Sequence, residues 1–358
     1  KDTEQFHGVS AVSWNEMQGI TNAMNLCDLV IMGGGGLFHD YWGFNPTTVL
    51  TPHHSGISFY CSIALLASIL DKPLMLYAIG VGPLLSEMGK FYTRATVEQA
   101  CLVSVRDEES REQLHSLGIP SDHIQVTADP AFRLQPVVMD SENHGTGFQD
   151  GPILGIALRN WDVGVLPDYW EGQVAGAIDG FLDLHKGSAI FIPFQDQGEK
   201  LLDDIGISER VQRRLRNAER TYILQGSYSP AEKAGMMARC DLILGMRLHA
   251  LIFSISNGIP VVGVTYDPKV RNVMVKAGIE EYAIELGELT SYSLASLLEK
   301  AYKNRDRLAN QMHTVCGGLQ KKAKKNAELA VGILEQFPHV QKSLTSATTQ
   351  VLKQVALS

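Results

Sequence analysis

The sequence predicts an α/β protein built from two doubly wound, Rossmann-like domains. Short apolar, β-rich runs recur at intervals of roughly 25 to 40 residues along the chain. Stretches of helical periodicity separate these runs, which is typical of βα units that build a parallel sheet. The same rhythm starts again after Ser141–Gly151, a polar, glycine-rich stretch that we interpret as a linker.

Each domain has its own series of strand candidates. In the first domain, residues 1–140, they are Leu29–Met32, Leu74–Ile79, Leu102–Val105 and Ile124–Val126. In the second domain, residues 151–317, they are Ile153–Leu158, Ala189–Pro193, Tyr222–Leu224, Leu242–Leu244 and Val261–Thr265. Residues 318–358 form a helical segment and a tail. Because Lys1–Asn25 is polar, whereas such domains usually open on a buried strand, we expect that the first domain lacks its opening βα unit, either in the protein or in this sequence.

Composition limits the classes of function. The chain has 358 residues and is 45% hydrophobic and 20% charged, which excludes a disordered or fibrous protein. Lys and Arg number 31 against 39 Asp and Glu, and the net charge of −8 argues against a nucleic-acid partner. The five widely spaced cysteines indicate neither disulfides nor a metal site, and we expect no metal and no cofactor. Without a signal peptide or membrane-spanning run, we expect a cytoplasmic protein.

Four consecutive glycines follow the first strand candidate, where Asp28–Asp40 reads DLVIMGGGGLFHD. Gly34, Gly35 and Gly36 would let backbone N–H groups approach an anion or a sugar at the carboxyl end of the strand. A tight turn without a ligand is the alternative interpretation. Asp40 is a candidate general base for an acceptor hydroxyl, with a helix N-cap as the alternative.

Two further features follow strand candidates of the first domain. Ala78–Pro83 reads AIGVGP and predicts a second glycine turn. Arg106 follows the third strand candidate, so it either faces a ligand crevice or pairs with Asp107 or Glu109.

Cationic and titratable side chains are densest in Asp241–Val270, DLILGMRLHALIFSISNGIPVVGVTYDPKV. Two strands there end in turns that open helices, and Arg247, His249 and Lys269 lie at those helix starts. Since helix N-termini favour anions, this pattern predicts a site for a small, doubly charged ligand. The alternative for His249 is a core histidine. Arg159, at the end of the strand GIALR, is a fourth candidate whose alternative is a salt bridge to Asp162 or an inter-domain contact.

A basic run near the end of the chain consists of Lys321, Lys322, Lys324 and Lys325. Its simplest interpretation is a solvated helix face. The alternative is a peripheral contact with anionic lipid at the inner face of the membrane.

Together these stretches resemble the bacterial polysaccharide pyruvyltransferase family, in its branch that acts on cell-wall polymers. The specific match is GMRLHALIFSISNGIPVVGVTYDPKV, and DLVIMGGGGLFHD, YAIGVGP, SVRDEES and TADPAF extend it over Asp28–Gly278. The resemblance implies a GT-B-like fold with phosphoenolpyruvate held between the domains. It also implies transfer of the pyruvyl group to two hydroxyls of one sugar as a ketal, with release of phosphate. The implied acceptor is N-acetylmannosamine on a lipid-diphosphate-linked cell-wall precursor.

The resemblance also assigns roles to residues. The donor-side residues it implies are Arg106, Arg159, Arg247, Leu248, His249 and Lys269. Of these, His249 is the expected acid/base, and Arg247 and Lys269 are expected to balance developing charge. The acceptor-side candidates are Asp40, Gly34, Gly35 and Gly36. Nothing in Lys1–Ile20 matches the strand and loop with which family members usually begin.

Two other functions fit the same pattern. One is a GT-B glycosyltransferase that uses a nucleotide sugar, which usually needs an acidic residue for the ribose after a late strand; the matching turn here has Lys269 beside Asp267. The other is a non-catalytic module that binds a sugar or phosphate without turnover.

Overall fold

The computed structural model describes Glu4 and residues 8–137, 151–195 and 203–336. The chain divides into two compact units: unit 1 comprises Lys1–Pro130 with Leu319–Ser358, and unit 2 comprises Ala131–Gly318. The predicted linker, apart from Gly151, and the tail beyond residue 336 lie outside the described residues.

Unit 1 contains a parallel sheet of four strands in the order β1-β2-β3-β4. The strands are β1 Val30–Phe38, β2 Leu74–Val81, β3 Leu102–Val105 and β4 Ile124–Val126. The helices before and between them are α1 Met17–Leu26, α2 Ile57–Ile69, α3 Glu87–Glu98 and α4 Glu108–Ser116. Each strand therefore leads through a helix to its neighbour, as parallel pairing requires.

The glycine run lies inside β1, so the prediction that the strand ends before Gly33 is wrong. Gly33, Gly35 and Gly36 pair in register with Tyr77, Ile79 and Gly80 of β2. A Cβ at Gly33 would lie 2.9 Å from the carbonyl oxygen of Tyr77. Glycine is a poor strand former in general, but here the close approach of β2 leaves no room for a side chain.

Residues 319–336, the described part of the predicted C-terminal segment, belong to unit 1. They form the second half of α11, Arg305–Gln336, which places Ala330 and Ile333 in an apolar cluster with Met75 of β2. Asn326 of α11 is fully buried; its Oδ1 accepts hydrogen bonds from Ser104 Oγ at 2.7 Å and Thr127 Oγ1 at 2.8 Å. The helix thus completes both the apolar and the polar core of unit 1.

Unit 2 contains a parallel sheet of six strands in the order β10-β9-β8-β5-β6-β7. The strands are β5 Ile153–Ala157, β6 Ser188–Phe191, β7 Thr221–Ile223, β8 Leu242–Gly245, β9 Val261–Thr265 and β10 Ala283–Glu285. The helices up to α11 are α5 Pro167–His185, α6 Asp204–Gln212, α7 Pro230–Met237, α8 Leu248–Ser256, α9 Pro268–Lys276 and α10 Ser291–Lys303.

The order of these six strands is that of a Rossmann sheet, in which successive strands are added outward in one direction from the first strand and in the other direction from the fourth. In unit 2 the reversal lies between β5 and β8, which pair from Leu154 with Leu242 to Ala157 with Gly245. Ligands of such sheets bind beyond the carboxyl ends of the strands at this switch point. The fold therefore directs attention to the residues that follow β5 and β8.

The predicted fold class, α/β with two doubly wound domains, is confirmed. The nine strand candidates are all found within a few residues, whereas β10 is not predicted, because its three half-buried residues form no apolar run. Within the described ranges no helix is long and apolar enough to span a bilayer.

Candidate functional site

The carboxyl ends of β5 and β8 bring two arginines to the same edge of the unit 2 sheet. The backbone N–H of Met246 donates to Ala157 O at 2.8 Å, and that of Arg247 donates to the same oxygen at 3.3 Å. Arg159 lies two residues beyond Ala157. Both arginines are therefore at the switch point, where the fold favours a ligand.

The guanidinium of Arg159 has aromatic rather than acidic neighbours. Its Cζ lies 5.6 Å from the ring centroid of Trp161 and 5.5 Å from that of Tyr266, and Nη1 donates to Tyr266 Oη at 3.2 Å. Nε is buried and has no hydrogen-bond partner in the described part of the chain, where no carboxylate pairs with this arginine either. The predicted salt bridge to Asp162 is not found among these residues, and the buried N–H without a partner marks a place where a bound water or ligand atom would complete its hydrogen bonding.

Lys269 reaches the same aromatic ring from the next strand. Its Nζ lies 5.8 Å from the Tyr266 centroid and 2.7 Å from Asp267 Oδ2. Asp267 also caps α9, accepting from the backbone N–H of Lys269 at 3.0 Å. Lys269 and Arg159 thus flank one tyrosine, with the lysine charge partly balanced by Asp267.

Arg247 is held in a buried ion pair. Its Nε donates to Asp204 Oδ2 at 2.9 Å and its Nη2 donates to Oδ1, so the two groups meet side by side. Asp204 is 1% exposed and also accepts from the backbone N–H groups of Phe194 and Gln195 at 2.9 and 3.0 Å. Two nitrogens of the guanidinium are therefore occupied, which leaves Nη1 for a ligand.

The first turn of α8 carries the other two predicted residues. Arg247 is its N-cap residue and makes no side-chain capping bond to the helix, while Leu248 and His249 are the first helical residues. His249 is exposed and its ring lies 6.2 Å from that of Phe253, so the alternative of a core histidine is wrong. Backbone N–H groups at an uncapped helix start favour a phosphate or carboxylate.

The predicted residues of the first domain form a separate group within unit 1. Arg106 is 7% exposed; its Nη1 bonds Asp129 Oδ2 at 3.1 Å and its Nε lies 3.5 Å from Asp107 Oδ2. The alternative interpretation, pairing with Asp107, is found, and the predicted donor-facing role stays a prediction. The guanidinium lies over two paired glycines: a Cβ would be 3.5 Å from Nη2 at Gly36 and 2.7 Å from it at Gly80.

Asp40 joins the end of β1 to the start of α3. Its carboxylate accepts from the backbone N–H groups of Leu85 at 2.5 Å and Ser86 at 2.9 Å, and from Ser86 Oγ at 2.5 Å. Burial favours the neutral acid, but these hydrogen bonds outweigh it and lower the pKa of Asp40. Asp40 thus binds the residues at the start of α3, as the capping alternative suggests. The N-cap residue itself is Ser86, not Asp40. Its role as an acceptor-side base stays a prediction.

Gly34 and Gly35 offer bare backbone at the surface of unit 1. Both have φ of +103°, which a side chain would strain, and a Cβ at either would have no atom within 4 Å. This open space would allow a ligand to approach closely. The acceptor-side role of Gly34, Gly35 and Gly36 stays a prediction.

Three residues of these groups are absent from the sequence-based candidates. Asp204 carries a signal, since an Asp pair before an apolar helix indicates a helix start, but nothing in the sequence joins it to Arg247. Tyr266 lies in the stretch VTYDPKV and Asp129 in TADPAF, both of which carry the family resemblance. The sequence therefore indicates that these stretches matter, but not which side chains Tyr266 and Asp129 contact.

The basic run lies on the solvent side of α11. Lys321, Lys322 and Lys325 are exposed and Lys324 is half-buried, while Ala323 faces the core. The structure therefore fits a solvated helix face, and a lipid contact stays a prediction. Among the residues that the structure describes, no cluster of three or more His, Cys, Asp or Glu could hold a metal ion.

Comparisons with known proteins agree with this arrangement. Residues 3–268 match the sequence model of the family described as Polysaccharide pyruvyl transferase. The amylovoran biosynthesis protein AmsJ of Erwinia amylovora is 23% identical over 311 residues, which cover 83% of this chain and 70% of AmsJ.

Solved structures show the same fold at low identity. The UDP-GlcNAc 2-epimerase of Neisseria meningitidis bound to UDP-GlcNAc has a TM-score of 0.58 and 14% identity, covering 90% of this chain and 82% of that one. Anabaena HepE in complex with UDP-glucose has a TM-score of 0.53 and 16% identity, with 92% and 82% covered. At these identities the likeness concerns the fold alone, and it confirms the predicted GT-B-like class.

Proposed function

The chain belongs to the polysaccharide pyruvyl transferase family, and from that premise we propose that it uses phosphoenolpyruvate to form a pyruvate ketal on a sugar. The family and the similarity to AmsJ make it a transferase of polysaccharide biosynthesis. The donor, the ketal product and the acceptor are the proposed part. The acceptor suggested by the sequence resemblance is a lipid-diphosphate-linked precursor carrying N-acetylmannosamine.

The observation that carries the proposal is Arg159, a cation at the switch point with a buried, unpartnered Nε and no described carboxylate beside it. Phosphoenolpyruvate carries a carboxylate and a phosphate, and a guanidinium suits either group because its N–H donors lie in one plane. Lys269, which shares Tyr266 with Arg159, and the uncapped start of α8 supply further donors for the second anion. The positive charges of Arg159 and Lys269 at this edge of the sheet therefore suit a small ligand with two or three negative charges.

The proposed reaction balances without an additional reagent. A proton adds to the methylene carbon of phosphoenolpyruvate, and one sugar hydroxyl adds to C2 and loses its proton. The C2–O bond to phosphate then breaks, the second hydroxyl closes the ketal, and its proton leaves with the phosphate. His249, exposed in the first turn of α8, is the proposed acid/base, since imidazole can both give and take a proton near neutral pH.

Arg247 has a supporting part in this proposal. Its ion pair with Asp204 offsets much of its charge and fixes its guanidinium beside the start of α8. It can then offer Nη1 to the departing phosphate without changing conformation, and such prearranged donors stabilise developing charge most effectively. Because arginine and lysine supply the positive charge, the proposal includes no metal ion, and EDTA is expected to leave turnover unchanged.

The test combines phosphoenolpyruvate with a synthetic lipid-diphosphate N-acetylmannosaminyl-glucosamine and follows phosphate release and the mass of the glycan. We expect equimolar phosphate and a glycan heavier by one pyruvate ketal. A parallel incubation with a panel of UDP-sugars addresses the nucleotide-sugar alternative. Glycosyl transfer from a UDP-sugar, with no phosphate released from phosphoenolpyruvate, would refute the proposal, and binding of either donor without turnover would favour a binding module.

Two variants test the assigned roles against a matched control. His249→Ala is expected to lower kcat at least about 100-fold, the usual contribution of a general acid/base, with unchanged thermal stability. His123→Ala removes another exposed histidine, on unit 1, and is expected to leave kcat unchanged. Arg159→Met is expected to raise KM for phosphoenolpyruvate more than KM for the acceptor. Full activity of His249→Ala would place the acid/base elsewhere.

A further inference from the structure

Tyr266 is the residue on which Arg159 and Lys269 converge, at the carboxyl edge of the unit 2 sheet. It directly follows β9, and its ring centroid lies 5.5 Å from Arg159 Cζ and 5.8 Å from Lys269 Nζ. The ring also packs on that of Trp161, with the two centroids 4.5 Å apart. The sequence-based candidates include both cations but not the tyrosine that they share. A change at Tyr266 therefore affects two cations at once.

The backbone holds Tyr266 in place from both sides. Thr265, the residue before it, ends β9, which pairs with β8 on one side and with β10 on the other. Asp267, the residue after it, is the N-cap of α9, and Pro268 is the first helical residue, with its φ fixed by the ring. Tyr266 is thus the single residue between an internal strand and a capped helix, so its side chain starts from a fixed position.

The hydroxyl of Tyr266 supplies a directional contact to Arg159. Nη1 of the arginine donates to Tyr266 Oη at 3.2 Å, and the phenol oxygen is the acceptor because a guanidinium can only donate. The guanidinium also lies near the rings of Trp161 and Tyr266, but contacts with ring faces constrain its orientation less than a hydrogen bond does. The hydrogen bond to Oη therefore determines where the remaining N–H groups of Arg159 point.

The ring of Tyr266 acts on Lys269 in a different way. Lys269 Nζ donates to Asp267 Oδ2 at 2.7 Å and lies 5.8 Å from the tyrosine ring centroid. Two cations near one ring repel each other, but the negative π face attracts both, and the carboxylate of Asp267 balances one of the charges. The tyrosine ring therefore stabilises Arg159 and Lys269 in one region of the sheet edge before a ligand binds.

We propose that Tyr266 is a positioning residue of the donor site; this inference rests on the proposed function. Its hydroxyl orients the guanidinium of Arg159, and its ring keeps the ammonium of Lys269 nearby. Tyr266 acts through these two cations and takes no part in the proton transfers. Such positioning strengthens donor binding because the cations do not have to be ordered when the donor enters. Tyr266 thus affects the affinity for phosphoenolpyruvate and not the affinity for the acceptor.

The first experiment measures binding of phosphoenolpyruvate to the full chain by isothermal titration calorimetry, without acceptor. Tyr266→Phe keeps the ring and removes the hydroxyl, so we expect binding to be about fivefold weaker, the effect of one hydrogen bond of average strength. Tyr266→Leu also removes the contacts of the ring with both cations and should weaken binding about 50-fold. Tyr282→Phe is the matched control, because Tyr282 Oη accepts from Arg307 Nη2 at 3.0 Å but precedes β10 at the amino edge of the sheet. This control should bind phosphoenolpyruvate as the wild type does.

A double-mutant cycle separates positioning from a general effect on the fold. Because the hydroxyl acts through Arg159, Tyr266→Phe should cause no further loss of affinity in a chain that already carries Arg159→Met. Tyr266→Phe should also keep the thermal unfolding transition of the wild type. Wild-type affinity of Tyr266→Phe, an equal loss of affinity in Tyr282→Phe, or additive losses in the cycle would each overturn the inference.

Turnover distinguishes a failure of this inference from a failure of the proposed function. With acceptor present, Tyr266→Phe should raise KM for phosphoenolpyruvate about fivefold and leave kcat and KM for the acceptor unchanged, which is the pattern of lost uniform binding. If phosphoenolpyruvate binds with the expected dependence on Tyr266 but releases no phosphate with any acceptor, the proposed function fails and the positioning role stands. A lower kcat with unchanged KM for phosphoenolpyruvate would place Tyr266 in the chemical step and overturn the inference.

Discussion

Gly80→Ala should destabilise unit 1 through a side chain that is far away in the sequence. A Cβ at Gly80 would lie 2.7 Å from Arg106 Nη2 and 2.8 Å from both Cζ and Nε. Three contacts below 3 Å force the guanidinium to move. It is held by Asp129 and Asp107 and is only 7% exposed, so movement weakens a buried ion pair. Overpacking costs about 1–3 kcal/mol and a broken buried pair about 3–5 kcal/mol, so we expect a loss of about 2–4 kcal/mol.

Differential scanning calorimetry should show this loss as a decrease of about 5 to 15 °C in the transition of unit 1. Gly36→Ala is the matched control, since its Cβ would be 3.5 Å from Arg106 Nη2, an ordinary contact, and should change stability by less than about 1 kcal/mol. A double-mutant cycle with Arg106→Met isolates the clash, because Gly80→Ala should cost far less when the guanidinium is absent. Additive effects in that cycle, or a Gly80→Ala variant as stable as Gly36→Ala, would refute the reasoning.

Three further outcomes follow from other parts of the chain. Asn326→Leu removes the buried acceptor shared by the hydroxyls of Ser104 and Thr127, together with the donor to Ala128 O, and should lower the free energy of unfolding by roughly 3 kcal/mol in urea titrations; an unchanged midpoint would contradict this. Because the pKa of Asp40 is lowered in the folded state, its contribution is present above about pH 4 and is lost as pH falls through the folded value. The stability difference between wild type and Asp40→Asn should therefore shrink below about pH 4, and a constant difference would exclude this carboxylate as its source. Cys101 is exposed and should react first with Ellman's reagent, whereas burial raises the pKa of Cys240 to about 12 and should delay its reaction until unfolding; early labelling of Cys240 would show that its surroundings open readily.

The fold could be predicted from the sequence because alternating apolar runs and helical periodicity report on a parallel sheet directly. The same local patterns placed Arg159, Arg247 and Lys269 at strand ends, and all three lie there. Local patterns do not report which charged groups meet. The ion pair of Arg247 with Asp204 joins residues 43 positions apart, so the sequence showed the cation but not its partner.

The glycine run shows the opposite failure. Local propensity predicted a turn because glycine rarely continues a strand. In the structure the neighbouring strand β2 leaves no room for a side chain at Gly33, where a Cβ would lie 2.9 Å from Tyr77 O. A tertiary constraint therefore overrode a local preference, and only the pairing of β1 with β2 reveals it.

The position of Asn326 has a consequence for synthesis of the chain on the ribosome. Its partner Thr127 is made 199 residues earlier, which corresponds to about 10 to 40 s at usual elongation rates. During that time all of unit 2 emerges, while the hydroxyls of Ser104 and Thr127 still lack the Asn326 acceptor that α11 supplies. Unit 2 can therefore fold first although it is encoded second, and a nascent chain stalled before α11 should hold unit 1 in a form that chaperones bind and proteases cut.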